Sequence, residues 1–98
     1  MRKITKQAVI AFEGDRSFLS GNTQVRKNNG VTELLLHGHT IAKKEDGDLW
    51  INLCGWNTPT TRERLNGLSN VAVRTKAGSV FLNGVEIPDD KWVKVTNL

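Results

Sequence analysis

The residues best equipped for chemistry in this chain are two histidines and one cysteine, His37-Gly38-His39 and Cys54. Residues i and i+2 of a strand project to one side, so two imidazoles there have chelating geometry, with Cys54 as a third ligand. A metal site of the usual kind needs a second ligand pair at short spacing, which the chain lacks, and Gly38 marks a bend that breaks the alternation. The histidines are therefore read as structural or surface residues, and no metal is expected. Cys54 with either histidine has the composition of a nucleophile and base, but no surrounding signature accompanies it, and a free cysteine is most often a small buried hydrophobe. The carboxylate pairs Asp46/Asp48 and Asp89/Asp90 lie in turn sequences, where aspartate serves the local backbone. P-loop, dinucleotide, nucleophile-elbow and HExxH patterns are missing from the sequence, and the glycines fall at turn positions where a positive φ accounts for them. The expectation is a protein without catalysis and without a cofactor.

Cations and flat rings are the second kind of chemistry. If a hairpin closes on Ala77-Gly78, Arg74 falls opposite Phe81, a cation beside an aromatic ring, with Lys76 near by. Trp92 and Lys94 have the same parity one strand away. Such interleaving is how open β-surfaces stack and neutralise single-stranded nucleic acid, so Arg74, Lys76, Phe81, Trp92 and Lys94 form the candidate nucleic-acid site. The competing expectation is that a helix covers Phe81 and Trp92 in a sheet buried on both faces. Arg62 and Arg64 near the positive end of a helix, with Trp56 in the loop before it, form a candidate partner-binding corner. On its own Trp56 is expected to plug the core in preference to being a contact residue.

The elements that must position these residues read as α+β, an antiparallel β-meander of about six or seven short strands with two short helices in one domain spanning 1–98. Ala8, Val9 and Phe12 at helical spacing, with Gly14 and Asp15 beyond, predict a helix over Thr5–Phe12. Asn28-Asn29-Gly30 predicts a hairpin whose two-residue turn sets Asn28 against Val31, Val25 against Leu34 and Arg26 against Glu33. A second hairpin runs from Thr40–Lys44 to Leu49–Leu53, with Leu49, Ile51 and Leu53 inward and Lys43 and Trp50 outward. Thr60 and Glu63 fit a capping box, and Gly67 a C-cap, for a helix over Thr61–Asn66 pinned by Leu65 and Leu68. Val71–Thr75, Ser79–Leu82, Val85–Ile87 and Trp92–Val95 are the remaining strands, with Val71, Val73, Val80, Leu82, Val93 and Val95 inward.

Bulk properties mostly exclude. Ninety-eight residues with 38% hydrophobic and 24% charged make one ordinary globular domain. One cysteine cannot make an internal disulfide, which argues against a small secreted scaffold. The apolar run Ala8–Phe12 stops at Glu13, too short for a signal peptide, and no segment approaches the roughly 20 apolar residues of a membrane span. A cytoplasmic protein is expected. The net charge of +4 divides evenly between residues 1–50 and 51–98, so there is no basic tail.

The run from Leu49 to Leu68, containing Gly55-Trp56-Asn57-Thr58-Pro59-Thr60-Thr61-Arg62-Glu63-Arg64-Leu65-Asn66-Gly67-Leu68, resembles a group of small bacteriophage and prophage proteins. So do Ser79-Val80-Phe81-Leu82-Asn83-Gly84, Trp92, Ser20-Gly21-Asn22-Thr23 and Leu36-His37-Gly38. The resemblance implies a phage product made in the host bacterial cytoplasm, and brings no activity or functional residues with it. Small phage proteins without catalytic motifs often act by binding a macromolecule. The expected function is a phage accessory binding module engaging nucleic acid through its basic-aromatic face. The alternative is a protein-binding effector that inhibits a host defence or polymerase protein. Either is compatible with a homo-oligomer built through edge strands.

Overall fold

The five Xaa-Gly pairs that join consecutive strands, Asn29-Gly30, His37-Gly38, Asp46-Gly47, Ala77-Gly78 and Asn83-Gly84, hold both residues at φ between 50° and 86°. Two consecutive positive φ values make the turn whose twist matches that of paired strands, so each pair closes a two-residue hairpin. The computed structural model, which describes residues 2–96, carries two helices and nine strands among them. In chain order they are α1 (Lys3–Glu13), β1 (Phe18–Ser20), β2 (Thr23–Asn28), β3 (Val31–Leu36), β4 (His39–Glu45), β5 (Asp48–Ile51), α2 (Pro59–Asn66), β6 (Val73–Lys76), β7 (Ser79–Leu82), β8 (Val85–Ile87) and β9 (Val93–Lys94). The α+β class and the antiparallel meander are as read from the sequence. The first hairpin has the expected register, with Val25 on Leu34, Arg26 on Glu33 and Asn28 on Val31.

The sheet divides where a single meander was expected. β1 to β5 run in sequence order and β9 returns to pair with β5, giving six strands, while β6, β7 and β8 form a separate three-stranded sheet. β1, a three-residue strand before Gly21, carries too little alternation to register in the sequence. Both sheets and both helices close on one apolar cluster that includes Phe12, Val25, Leu34, Ile51, Leu65 and Leu82. A register shift between Leu34 and Leu35 lets neighbouring Ile41 and Ala42 of β4 both enter that core, at 2% and 0% exposure. A bulge of this kind also bends the strand, here just beyond His39.

α1 buries Thr5, Ala8, Val9 and Phe12, an i, i+3, i+4, i+7 stripe in which Thr5 is the polar member. α2 starts earlier than predicted. Thr58, not Thr60, is its N-cap, accepting the Thr61 N–H, and Pro59 occupies the first turn, where its missing N–H costs nothing. Glu63 therefore does not close a capping box. Its carboxylate instead crosses to the start of α1, accepting the Arg2 N–H at 3.1 Å and the Thr5 hydroxyl. α1 has no acidic residue in its own first turn, so α2 supplies the anion that the positive end of a helix favours. Gly67 is the C-cap of α2, as expected, but not through a positive φ. Its φ is −75°, and what demands glycine is space, because a Cβ there would lie 2.7 Å from Val9 Cγ2 and 3.0 Å from Thr5 Cγ2. Gly14, at φ −93°, is likewise no positive-φ position.

Arg64 fastens this helix pair to the sheet. It is 2% exposed, and its Nε donates to Thr23 Oγ1 of β2 at 3.1 Å while a terminal nitrogen donates to Thr5 Oγ1 at 2.7 Å and to Glu63 Oε1 at 2.5 Å. The Thr23 hydroxyl donates in turn to Asn22 Oδ1 at 2.8 Å. Desolvating a guanidinium costs several kcal/mol. Three charge-assisted bonds at about 1.5–3 kcal/mol each offset that cost, so the cluster is near neutral while complete and costly when broken.

Arg64→Ala is expected to lower stability by about 3–5 kcal/mol in urea unfolding, because the remaining polar groups lose their partner; a loss below about 1 kcal/mol would contradict this role. Burial raises the Glu63 pKa, but the bonds from Thr5, the Arg2 N–H and Arg64 outweigh it and hold the carboxyl below its ordinary value. The folded state thus binds this proton more weakly than the unfolded chain. The Glu63 contribution is complete above the unfolded carboxylate pKa, about 4.3, and disappears as pH falls through the lower folded value. Unfolding free energy measured from pH 6 to pH 2 should fall less steeply for Glu63→Gln than for the parent.

Candidate functional site

The turn between β3 and β4, the start of β4 and the loop from Leu53 to the first turn of α2 converge on one pocket of about 300 Å³. Its floor is Leu36, Ile41 and Leu53, and around it stand His37, His39, Cys54, Trp56 and the threonines 58, 60 and 61. Local backbone chemistry builds each side. His37 sits at φ 52° in the hairpin turn, so the two histidines are not alternate residues of one strand. His39 opens β4, and its ring meets Trp56 with centroids 6.1 Å apart and planes tilted 30°. Asn22 Nδ2 lies 3.4 Å from His37 Nε2, which joins the pocket rim to the Thr23 and Arg64 network.

The loop carrying Trp56 is held at several points. Cys54 and Gly55 both have positive φ, 58° and 74°. Asn52 Oδ1 accepts the Cys54 N–H at 2.8 Å, and Gly55 N–H reaches the Asp89 carbonyl at 2.6 Å. Arg62 turns back on the loop, donating to the Asn57 carbonyl at 3.1 Å and to Asn57 Oδ1 at 2.5 Å. Asn57 Nδ2 in turn donates to Thr75 Oγ1 at 3.2 Å. Trp56 is left 58% exposed, so it is no core plug. A rigid loop that holds an indole in water is the reverse of the usual burial economy for large aromatics.

The corner expected from Trp56, Arg62 and Arg64 is thereby divided. Trp56 faces solvent, Arg62 is half-buried and occupied by Asn57, and Arg64 is buried among threonines and cannot reach a partner. The signal for Arg64 was present, since Thr61, Arg64, Leu65 and Leu68 follow the i, i+3, i+4, i+7 spacing of a buried stripe.

The five-residue basic-aromatic patch also separates. Arg74 does stand opposite Phe81, with Lys76 two residues on, in the three-stranded sheet. Phe81 is half-buried and its other neighbour is Glu86. Trp92 and Lys94 are not one strand away, because β9 belongs to the six-stranded sheet and pairs with β5. There Lys94 opposes Trp50 and reaches Asp48 at 3.5 Å, and the cation over Trp92 is Lys43, 4.6 Å from the ring centre and 5.9 Å from that of Trp50. The ring of Trp92 thus has a lysine of its own chain on it. Pairing of Lys43 with Trp50 was legible from strand parity; the approach of Trp92 was not.

His37, His39 and Cys54 do come together at the pocket, yet among the described residues no three His, Cys, Asp or Glu side chains are arranged to share a metal ion. Cys54 Sγ lies 3.4 Å from the Thr40 carbonyl and 3.6 Å from that of Asn52, both acceptors for S–H. Burial pushes its pKa above the ordinary thiol value. The thiolate is the reactive form, so this environment suppresses nucleophilic chemistry. Iodoacetamide labelling of Cys54, the sole cysteine, should therefore be slower at pH 8 than that of an unfolded control, with its rate midpoint displaced to higher pH. A midpoint at or below that of the control would contradict the assignment.

No helix among the described residues is long and apolar enough to cross a membrane. No curated protein and no solved structure matches the chain. A protein-family model described as Kyanoviridae Gp96 protein matches residues 1–97, nearly the whole length. The likeness to phage proteins seen around Trp56 and the Asn83-Gly84 turn thus has a specific source: the chain belongs to the Kyanoviridae Gp96 family of phage proteins.

Proposed function

We propose that this phage protein is a non-catalytic binding module of the bacterial cytoplasm whose partner is a host protein, docked at the Trp56 pocket. The observation that carries the reading is the combination of an indole held 58% exposed by a braced loop with an adjoining pocket whose floor is apolar. Tryptophan is strongly enriched among residues that dominate protein interfaces, typically beside a desolvated pocket. The loop is fixed before binding by Asn52, Arg62 and Asp89, so little ordering entropy is lost on docking. The Cys54 Sγ directed at the Thr40 and Asn52 carbonyls, together with burial that raises the thiol pKa, supports reading the pocket as a binding site.

Nucleic acid is the second reading, favoured by Arg74 opposite Phe81 with Lys76 beside them. It has weaker support on the larger sheet, where the outward cations Arg26, Lys43 and Lys94 are paired with Glu33, Glu45 and Asp48. Phosphate neutralisation needs cations that are free to meet it.

Affinity capture from nuclease-treated lysate of the infected host separates the two. A protein retained by the parent and by Arg74→Glu/Lys76→Glu, but reduced about thirty-fold or more by Trp56→Ala, is the expected result, corresponding to the roughly 2 kcal/mol of an interface hot spot. Capture unaffected by Trp56→Ala overturns the reading. Salt-sensitive binding of single-stranded DNA or RNA that requires Arg74 and Lys76 establishes the nucleic-acid reading in its place.

A further inference from the structure

The lining of the Trp56 pocket restricts what can enter it. Among the described residues that line it there is no aspartate, glutamate, lysine or arginine, so a cation pushed onto its floor would lose water with no carboxylate to meet. Leu36, Ile41 and Leu53 beneath it are 5%, 2% and 0% exposed, so the floor is apolar but already shielded, and the main apolar area left for a ligand to cover is the indole of Trp56, 58% exposed. One wall is built of rings. Trp56 and His39, with ring centres 6.1 Å apart and planes 30° from parallel, pack as a pair, and a third ring can extend that pair from its exposed side in offset or edge-to-face geometry. The opposite rim is hydroxyl. Thr58 and Thr61 bond each other at 3.0 Å, and Thr60 adds a further donor and acceptor at the start of α2. At about 300 Å³ the pocket stands at the lower limit of small-molecule sites, large enough for one ring system.

We infer that the pocket takes an uncharged aromatic side chain of the protein partner, its ring packed against the exposed side of the Trp56–His39 pair over the aliphatic floor and its polar edge at the threonine rim. This deepens the reading of Trp56 as the docking residue and rests on it. An aliphatic side chain would cover the floor but leave the ring wall without its electrostatic match. Lysine or arginine would find the ring faces but no anion.

Titration of ¹⁵N-labelled full-length protein with N-acetyltryptophanamide is expected to shift the Trp56 indole N–H and the His39 and Thr60 amides saturably, in the millimolar range typical of single-group ligands. The indoles of Trp50 and Trp92 serve as internal controls and should not move. N-acetylleucinamide should bind roughly two- to ten-fold more weakly, the size of a ring-on-ring contact. Argininamide should give no saturable shift, and Trp56→Ala should abolish the response of the His39 and Thr60 amides to the tryptophan and leucine probes. Absence of saturation with the tryptophan probe, or equal saturation by the leucine or arginine probe, overturns the inference. Adenosine binding more tightly than the tryptophan probe also overturns it, by assigning the pocket to a free heterocycle. The two levels fail separately: Trp56-dependent capture from lysate without ring binding counts against this inference alone, and ring binding without such capture counts against the protein-partner reading.

Discussion

Arg64 is the constraint on which the rest of the structure depends. Its guanidinium joins the first turn of α1 through Thr5, the beginning of β2 through Thr23, and its own helix through Glu63. These partners come from 1, 41 and 59 residues away, so the cluster exists only when helix, helix and sheet are in place together. Its energetic balance is close to zero because desolvation and hydrogen bonding are of similar size. What it contributes is position. A helix slid by one residue along this seam would leave a buried charge without partners, a penalty that purely apolar packing of Leu65 and Leu68 would not impose.

Position matters because α2 carries one side of the pocket. Thr58, Thr60 and Thr61 occupy its cap and first turns, and Gly67 at its far end lets the helix approach Thr5 and Val9 closely. The other side comes from the β3–β4 hairpin, whose bulge draws Ile41 and Ala42 inward and leaves His39 at the rim. Asn22, bonded to Thr23 and adjacent to His37, connects the buried arginine to that rim. The pocket is therefore held by the same bonds that hold the fold. At its mouth the chain maintains two uncommon states, a cysteine at φ 58° and a tryptophan mostly in water. Strained backbone of this kind persists only when its surroundings over-determine it, which Asn52, Arg62 and Asp89 do here.

The distribution of charge explains why a net +4 says little about partners. On the larger sheet, cross-strand register sets Arg26, Glu33, Lys43, Trp50 and Lys94 in one outward row, and neighbouring carboxylates meet the cations. Exposed pairs contribute at most about 1 kcal/mol each. Their larger effect is to flatten the surface potential, leaving a face with rings and charges but little field. The lining of the Trp56 pocket lacks these pairs for a different reason, since among the described residues no aspartate, glutamate, lysine or arginine reaches it.

The sequence by itself determined everything that rests on neighbours in the chain. Asn29-Gly30, Ala77-Gly78 and Asn83-Gly84 turn because left-handed backbone at two successive residues has few other solutions, and strand parity then sets Val25 on Leu34 and Arg74 on Phe81. The apolar spacing in α1 follows from the helical period of 3.6, and the inward valines of β6, β7 and the segment after β8 from the strand period of two. Only the tertiary structure decided which strand β9 joins, because backbone edges of β5 and β8 offer the same hydrogen bonds and the choice lies in how the whole core closes. It also decided that Glu63 caps the other helix, that Arg64 is buried and that Trp56 is not. Burial of a polar or aromatic side chain depends on which partners arrive from distant segments, and helical or strand spacing carries that information only as a stripe that something must cover.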